Sequence, residues 1–410
     1  MISVNLRRRL ARNIPVNYLF TFLFFTDLTR GVWMIYLAGR GFSLLQLGIL
    51  ESVFHITSFL MEVPTGAVAD LWGRKASRIL SRTLFLGSLA LMFFSTSFTL
   101  QILGFIVCAL NYNLESGAGE ALLYDSMLLL ERKDEYMRIK GRQEFLIQCA
   151  AIVAFLCGGW LAVRSYSANF ALSALVCCGA ICTGFFFQEP PIRREKRSRE
   201  QGVLAGIAHA TRRQTLRSLG VIRRRPRIAL FILFSELIFA FGTTEFFYLQ
   251  NHWKALGRDE WYIGIIFAVQ CAVSGITGLL APRIEERLGE RGILISAPLL
   301  MLVCLWGIAL SPVPGLFFVL LGILEGVLLV AVSDYINRLI PSRYRATILS
   351  YQSMVFSFFM ILLFPLVGWI GESWNLSLGF LVLALIASLG TAGFLLFYGR
   401  TGAPESQSSA

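Results

Sequence analysis

The sequence predicts an all-α membrane protein of twelve transmembrane helices, six on each side of one long basic loop. Three observations predict it. Of 410 residues, 56% are hydrophobic and only 15% charged, whereas a soluble globular chain is nearer half apolar and about a quarter charged. Apolar runs recur from end to end, each close to the ~20 residues that cross a bilayer, and they lack the two-residue alternation of a membrane β-barrel. The connections between runs are short except for 188–227, which is polar and basic.

The first run follows "NLRRRLARNIP", a basic start like that of an export signal. The run is too long for one, contains Asp27 and Arg30, and lacks a small-residue cleavage site, so it is expected to remain as the first span. The expected spans are 14–38, 44–67, 76–97, 99–124, 143–163 and 168–187, then 228–250, 260–282, 291–311, 314–336, 345–371 and 376–398. This organisation divides the chain into 1–187, a loop at 188–227, 228–400 and a disordered tail at 401–410. If both termini are cytoplasmic, all but five of the 37 Lys and Arg lie on the cytoplasmic side; Arg40, Arg164, Lys254 and Arg258 fall outside and Arg30 within a span. The positive-inside rule therefore predicts a multi-pass protein of the cell membrane with both ends inside.

The net charge of +12 is thus a topology signal. The central loop holds 12 of the cations without interleaved aromatics, which argues against a nucleic-acid partner. Its Leu204, Ile207, Leu216 and Leu219 have helical spacing and are expected to lie on membrane lipid. All eight cysteines sit in apolar runs and read as small hydrophobes. The halves also echo each other. Glu115 and Glu325 are 210 residues apart, Trp160 and Trp369 209, and Tyr36 and Tyr248 212. Repeated six-helix halves are a recurring transporter plan, with the substrate site near the midplane.

The second run ends in "EVPTGAVADLWGRK". Asp70 there faces the negative end of its own helix dipole, so it needs a positive partner. Gly66 and Gly73 permit close backbone approach and a tight turn. "GAVADLWGRK" resembles the signature of the major facilitator superfamily between helices two and three. Gly66, Asp70, Gly73, Arg74 and Lys75 match it, and Leu71 departs from the usual cation. The resemblance covers essentially the whole chain. It implies two six-helix bundles rocking about a central cavity. It also implies a latch in which Asp70 meets the helix beginning near Arg345 and Arg74 reaches Asp125. The second-half copy, "GLLAPRIEERLGERG", has Pro282 in place of the Asp.

Ionisable groups at membrane depth cost ~2.5–3.5 kcal/mol each at a helix centre, which marks those lining a polar cavity as functional candidates. Asp27 and Arg30 are three residues apart in the first span. Glu51, His55, Ser58 and Glu62 form one stripe on the second, and Asn111 and Glu115 face together on the fourth. Glu325 lies mid-way along the tenth, and Glu236 and Glu245 lie on the seventh. Glu62, beside Pro64, is expected to be structural, and His55 either a core hydrogen-bonding residue or a participant. Tyr18, Trp33 and Tyr36 are expected to line an aromatic cavity. A carboxyl in low dielectric can exchange a proton near neutrality, and Arg30 can hold a carboxylate or an anionic substrate.

There is no phosphate-binding loop, no HExxH and no paired-aspartate cluster, so no cofactor, metal or enzymatic chemistry is expected. The expected function is proton-coupled secondary transport of a small molecule, with efflux of drug-like or metabolite compounds as the leading reading and uptake symport as the alternative. A polytopic membrane enzyme and a non-transporting receptor are the readings from other classes. The antiporter signature of the resembling family survives in the fifth span only as Gly158 and Gly159; Ala154 and Phe155 replace its Gly-Pro.

Overall fold

The computed structural model describes residues 3–191, 226–339 and 345–401. The expected surface helix around Leu204 to Leu219 lies outside the described residues, as does 402–410 of the tail. Packing divides the chain into two compact units, Met1–Arg213 with Leu249–Cys271, and Gln214–Tyr248 with Ala272–Ala410.

The first unit contains α1 (Val4–Phe25), α2 (Trp33–Gly39), α3 (Leu44–Trp72), α4 (Arg74–Phe94), α5 (Phe98–Leu129), α6 (Tyr136–Arg164) and α7 (Tyr166–Phe185). It also takes the end of α8 (Pro226–Ala255) and the start of α9 (Glu260–Leu310). The second unit holds the rest of those two helices with α10 (Pro314–Leu339), α11 (Arg345–Ser373) and α12 (Leu376–Thr401). Nine helices among the described residues are long and apolar enough to cross a membrane. One of them, α9, is two spans joined at Gly289, whose φ of 65° breaks the helix. Adding that extra span, α10, and the broken first span to the nine gives the expected twelve.

The first span differs from its expectation. It is not one helix over 14–38: residues 26–32 are non-helical between α1 and α2, so Asp27 and Arg30 do not share a helix face. The local chemistry explains the break. Asp27 Oδ1 accepts from the Thr29 amide at 3.0 Å and its hydroxyl at 2.6 Å, a side-chain turn that competes with helical hydrogen bonding. Backbone freed at membrane depth must be satisfied within the protein. Asn169 of α7 donates to the Leu28 carbonyl at 3.2 Å and Gln250 of α8 to the Arg30 carbonyl at 3.3 Å. Both side chains are fully buried.

Small residues allow helices to reach the break. A Cβ on Gly158 would lie 2.3 Å from the Leu28 carbonyl oxygen, and one on Gly159 2.4 Å from that of Glu260. Close backbone approach of this kind is how membrane helices pack at small residues, and it groups the start of α9 with the first unit. Elsewhere in this unit Phe20, Phe24, Leu122, Ala180 and Phe187 form an apolar core. In the second unit Phe234 stacks on Phe394 with centroids 3.9 Å apart, and Tyr248 donates to the Phe364 carbonyl at 2.7 Å.

Candidate functional site

The first unit gathers charges around α4. Arg78 and Arg82 are one helical turn apart and only 1% and 2% exposed. Arg78 Nη2 lies 2.7 Å from Glu115 Oε1, and its Nε donates to Oε2 at 3.1 Å. Its Nη1 donates to Asn17 Oδ1 at 2.8 Å, and its guanidinium sits 4.2 and 4.4 Å from the ring centres of Phe20 and Phe187. Planar stacking with a two-pronged carboxylate contact is arginine chemistry that lysine cannot copy. Arg82 lies 3.5 Å from the Phe24 ring centre and donates to Asn111 Oδ1. Its Nε has no partner among the described residues, while both Asp27 and Glu115 act on its charge.

The polar stripe on α3 joins this group. Arg30 acts electrostatically on Glu51, and His55 Nε2 stands 3.8 Å from Glu51 Oε1. Asp27 acts on Tyr112, as do Arg30 and Arg82. Glu51 is thus joined to His55 and Glu115 to Arg78, with Asp27, Arg30 and Arg82 within electrostatic reach of these pairs. The group contains three acids and three arginines. Ser58 belongs to a separate lock between α3 and α5: its hydroxyl donates to Asn113 Oδ1 at 2.7 Å and Asn113 Nδ2 returns a bond to its carbonyl at 2.7 Å. Trp33 and Tyr36 are buried in the core, packed on Phe105 and Phe93.

The turn from α3 to α4 is built on Gly73, whose φ is 104°. Glu189 caps α4 there: its two oxygens accept from the amides of Arg74 at 3.0 Å and Lys75 at 2.8 Å. A carboxylate at a helix N-terminus is stabilised by the dipole. Arg74 Nη1 contacts Asp125 and also donates to the Ala121 carbonyl at 2.9 Å. Lys75 Nζ donates to the Phe185 carbonyl at 2.6 Å. Gly66 has open space about its Cα, so the turn rather than that position is where glycine is required. Asp70 lies in the last turns of α3 and Arg345 begins α11; their side chains lie outside the described residues.

The acids of the second unit are scattered. Glu325 is exposed on α10, unlike its sequence counterpart Glu115. Glu236 accepts from Gln352 Nε2 at 3.2 Å. Glu245 is fully buried, with neither oxygen hydrogen-bonded among the described residues. No group of three His, Cys, Asp or Glu among the described residues is placed to hold a metal.

Comparison with known proteins decides the family. The model of the Major Facilitator Superfamily matches residues 18–318 and 262–410. The chain belongs to the Major Facilitator Superfamily. A curated relative, the "Uncharacterized MFS-type transporter YxaM" of Bacillus subtilis (strain 168), is 24% identical over 366 residues, covering 86% of this chain and 88% of that protein. Among solved structures, the nucleoside transporter NupG superposes with a TM-score of 0.74 at 16% identity, over 96% of this chain and 99% of that one. A D-xylose-proton symporter gives 0.71 at 14% identity, over 96% and 97%. These identities are low enough that the likeness carries fold alone.

As a Major Facilitator Superfamily member the chain is a multi-pass membrane transporter with the two-bundle, twelve-helix fold, and its business is transport of small molecules rather than enzymatic chemistry. Sequence reasoning missed Arg78, Arg82 and Glu189. The two arginines had been absorbed into the cytoplasmic charge excess. Their sign was the repeat Ser77-Arg78 and Ser81-Arg82, which puts two cations and two hydroxyls along one side of an otherwise apolar helix.

Proposed function

We propose that the protein is a proton-coupled secondary transporter working by alternating access, with the cluster around Arg82 as its coupling machinery. The observation that carries this reading is the set of three acids and three arginines at membrane depth beside a broken helix. Such groups are costly in a bilayer, and discontinuous helices form the binding regions of many transporters. In such a set, one proton gained or lost changes which pairs are favoured. Asp27, Glu51 and Glu115 are the candidate proton carriers. Arg30 and Arg82 are the cations that exchange partners as the bundles tilt. Asp70, Arg74, Lys75 and Asp125, with Gly66, Gly73 and the start of α11 at Arg345, form the conformational latch at the cytoplasmic side of the cell membrane, where both termini lie.

We read the direction as export, of drug-like or metabolite compounds. Gly158 and Gly159, the retained part of the span-five antiporter signature, lie against backbone carbonyls where no side chain fits. Proton-driven uptake is the second reading. It is favoured by Ala154 and Phe155 in place of Gly-Pro, since Phe155 packs its ring on Phe267 and makes this part of α6 unlike the signature.

Proteoliposomes holding the purified protein and an imposed pH gradient test the proposal. Flux of an identified substrate should follow the gradient and reverse with it. Asp27→Asn or Glu115→Gln should abolish gradient-driven flux while leaving substrate exchange. Full proton-driven flux in Asp27→Asn, Glu51→Gln and Glu115→Gln alike would make the cluster structural.

A further inference from the structure

We propose that a cavity separate from the charge cluster, between α2, α7, the end of α8 and the start of α9, binds a small organic anion: a carboxylate on an aromatic or apolar body. The cavity lies wholly within the first unit and has a volume of about 440 Å³, within the roughly 300–1,000 Å³ typical of ligand pockets. None of Asp27, Arg30, Glu51, His55, Arg78, Arg82 and Glu115 lines it.

The argument is a balance of donors and acceptors. The polar lining is Tyr36, Arg40, Tyr166, Asn251, Lys254 and Glu260. Its single carboxylate is already engaged. Glu260 Oε1 accepts from Lys254 Nζ at 2.7 Å and from the Tyr166 hydroxyl at 2.5 Å. That leaves Arg40 as the excess charge. Its Nη1 donates to the Tyr36 hydroxyl at 2.6 Å and to the Phe93 carbonyl. Both acceptors are neutral, and no carboxylate among the described residues pairs with it. Asn251, which also lines the cavity, carries a buried Nδ2 with no hydrogen-bond partner among the described residues. An unpartnered buried N–H is costly, and a rotation of that side chain toward an acceptor bound in the cavity would satisfy it.

The site is also held ready. The Tyr36 hydroxyl donates to the Phe93 carbonyl at 3.0 Å while accepting from Arg40, so the guanidinium is fixed before any ligand arrives. A fixed arginine fork matches a carboxylate in plane. The rings of Tyr36 and Tyr166, 5.2 Å apart and tilted, give the apolar wall against which an aryl or alkyl body would rest. With one cation in excess, a donor-rich rim and an aromatic wall, the cavity selects anions over neutral isosteres.

The test uses the purified full chain in detergent and benzoate as the probe, with benzamide as its uncharged counterpart. Calorimetry should show saturable benzoate binding that benzamide does not match. Arg40→Gln and Asn251→Leu should each weaken benzoate about tenfold or more, as the loss of a charge-assisted bond or of cavity space requires. Because Arg40 also ties down the Phe93 carbonyl, Asn251→Leu keeps the test decisive should Arg40→Gln not fold. Glu115→Gln, which disables the coupling proposed above and lies away from the turn into α2, should leave benzoate affinity within about twofold. Equal binding of benzamide, full benzoate affinity in the folded variants, or loss of binding in Glu115→Gln instead, would overturn the proposal.

Discussion

Removing Glu115 should destabilise the protein more than removing Glu115 and Arg78 together. Arg78 is 1% exposed and is held by the Glu115 carboxylate, the Asn17 amide oxygen and two aromatic rings. Glu115→Ala strands its charge inside the unit, and breaking a buried ion pair by deleting one partner costs about 3–5 kcal/mol. Arg78→Met strands a carboxylate whose side chain keeps 15% exposure, so about 2–3 kcal/mol is expected there. The double variant strands neither charge. It loses the Asn17 bond and the cation–π contacts, together about 2–3 kcal/mol. The coupling between the two sites is then about 2–6 kcal/mol, at or above the upper end of the range for directly contacting residues. Reversible unfolding of the purified protein in mixed micelles, run on all four members of the cycle, measures it. The double variant should be more stable than Glu115→Ala. If the two single losses add to within about 0.5 kcal/mol, the pair contributes nothing as a pair and the account of the cluster is wrong.

Gly73→Ala should lower stability by about 1–3 kcal/mol, the cost of a non-glycine residue held at positive φ, because φ is 104° and the new Cβ would stand 3.2 Å from the Glu189 carboxyl. Gly66→Ala, in open space within a helix, should instead leave stability unchanged or raise it by up to about 1 kcal/mol; the same unfolding measurement separates them. Asp70→Asn should insert normally yet transport poorly, and wild-type flux in that variant would reduce the residue to a topology marker. A cysteine introduced at Gln201, in a background lacking the native cysteines, should resist membrane-impermeant reagents in intact cells; labelling there would invert the topology.

The spans were legible because burial in lipid imposes a crude and redundant code. Length and hydropathy alone placed α3 through α7 and α11 and α12, and the glycine of the signature marked the turn at Gly73, where φ is 104°. The break in the first span was not legible from hydropathy, since 26–32 sits in one apolar run. Its cause is local hydrogen bonding by Asp27 and Thr29, backed by Asn169 and Gln250 from elements distant in sequence. The acids of the site were legible, because a carboxyl at membrane depth is conspicuous. Of their cations Arg30 was legible for the same reason, but Arg78 and Arg82 were not, since they lie near a helix start rich in cytoplasmic charge. The 210-residue echo of Glu115 in Glu325 preserved the residue without its burial: one meets a buried arginine and the other is exposed on α10.

Glu189 changes how the signature turn is understood. On sequence alone the cations Arg74 and Lys75 read as part of the inward-facing charge excess, with Arg74 reaching an acid on α5. The structure gives their backbone amides to the two oxygens of a carboxylate at the far end of the same unit. Asn13 of α1 holds the neighbouring residue from both sides, donating to the Gln188 carbonyl at 2.8 Å and accepting from its amide at 2.8 Å. The start of the central loop is therefore pinned to α1 and to the α4 N-terminus at once. A carboxylate there offsets the positive end of the α4 dipole and the side-chain charge beside it. A Cβ on the residue before the helix would stand 3.2 Å from this carboxyl and crowd it, so Gly73 suits the cap as well as its own φ. The turn, the helix cap and the entry to the loop are one assembly. The start of the loop is thereby tied directly to the backbone of Arg74, the residue whose side chain contacts Asp125.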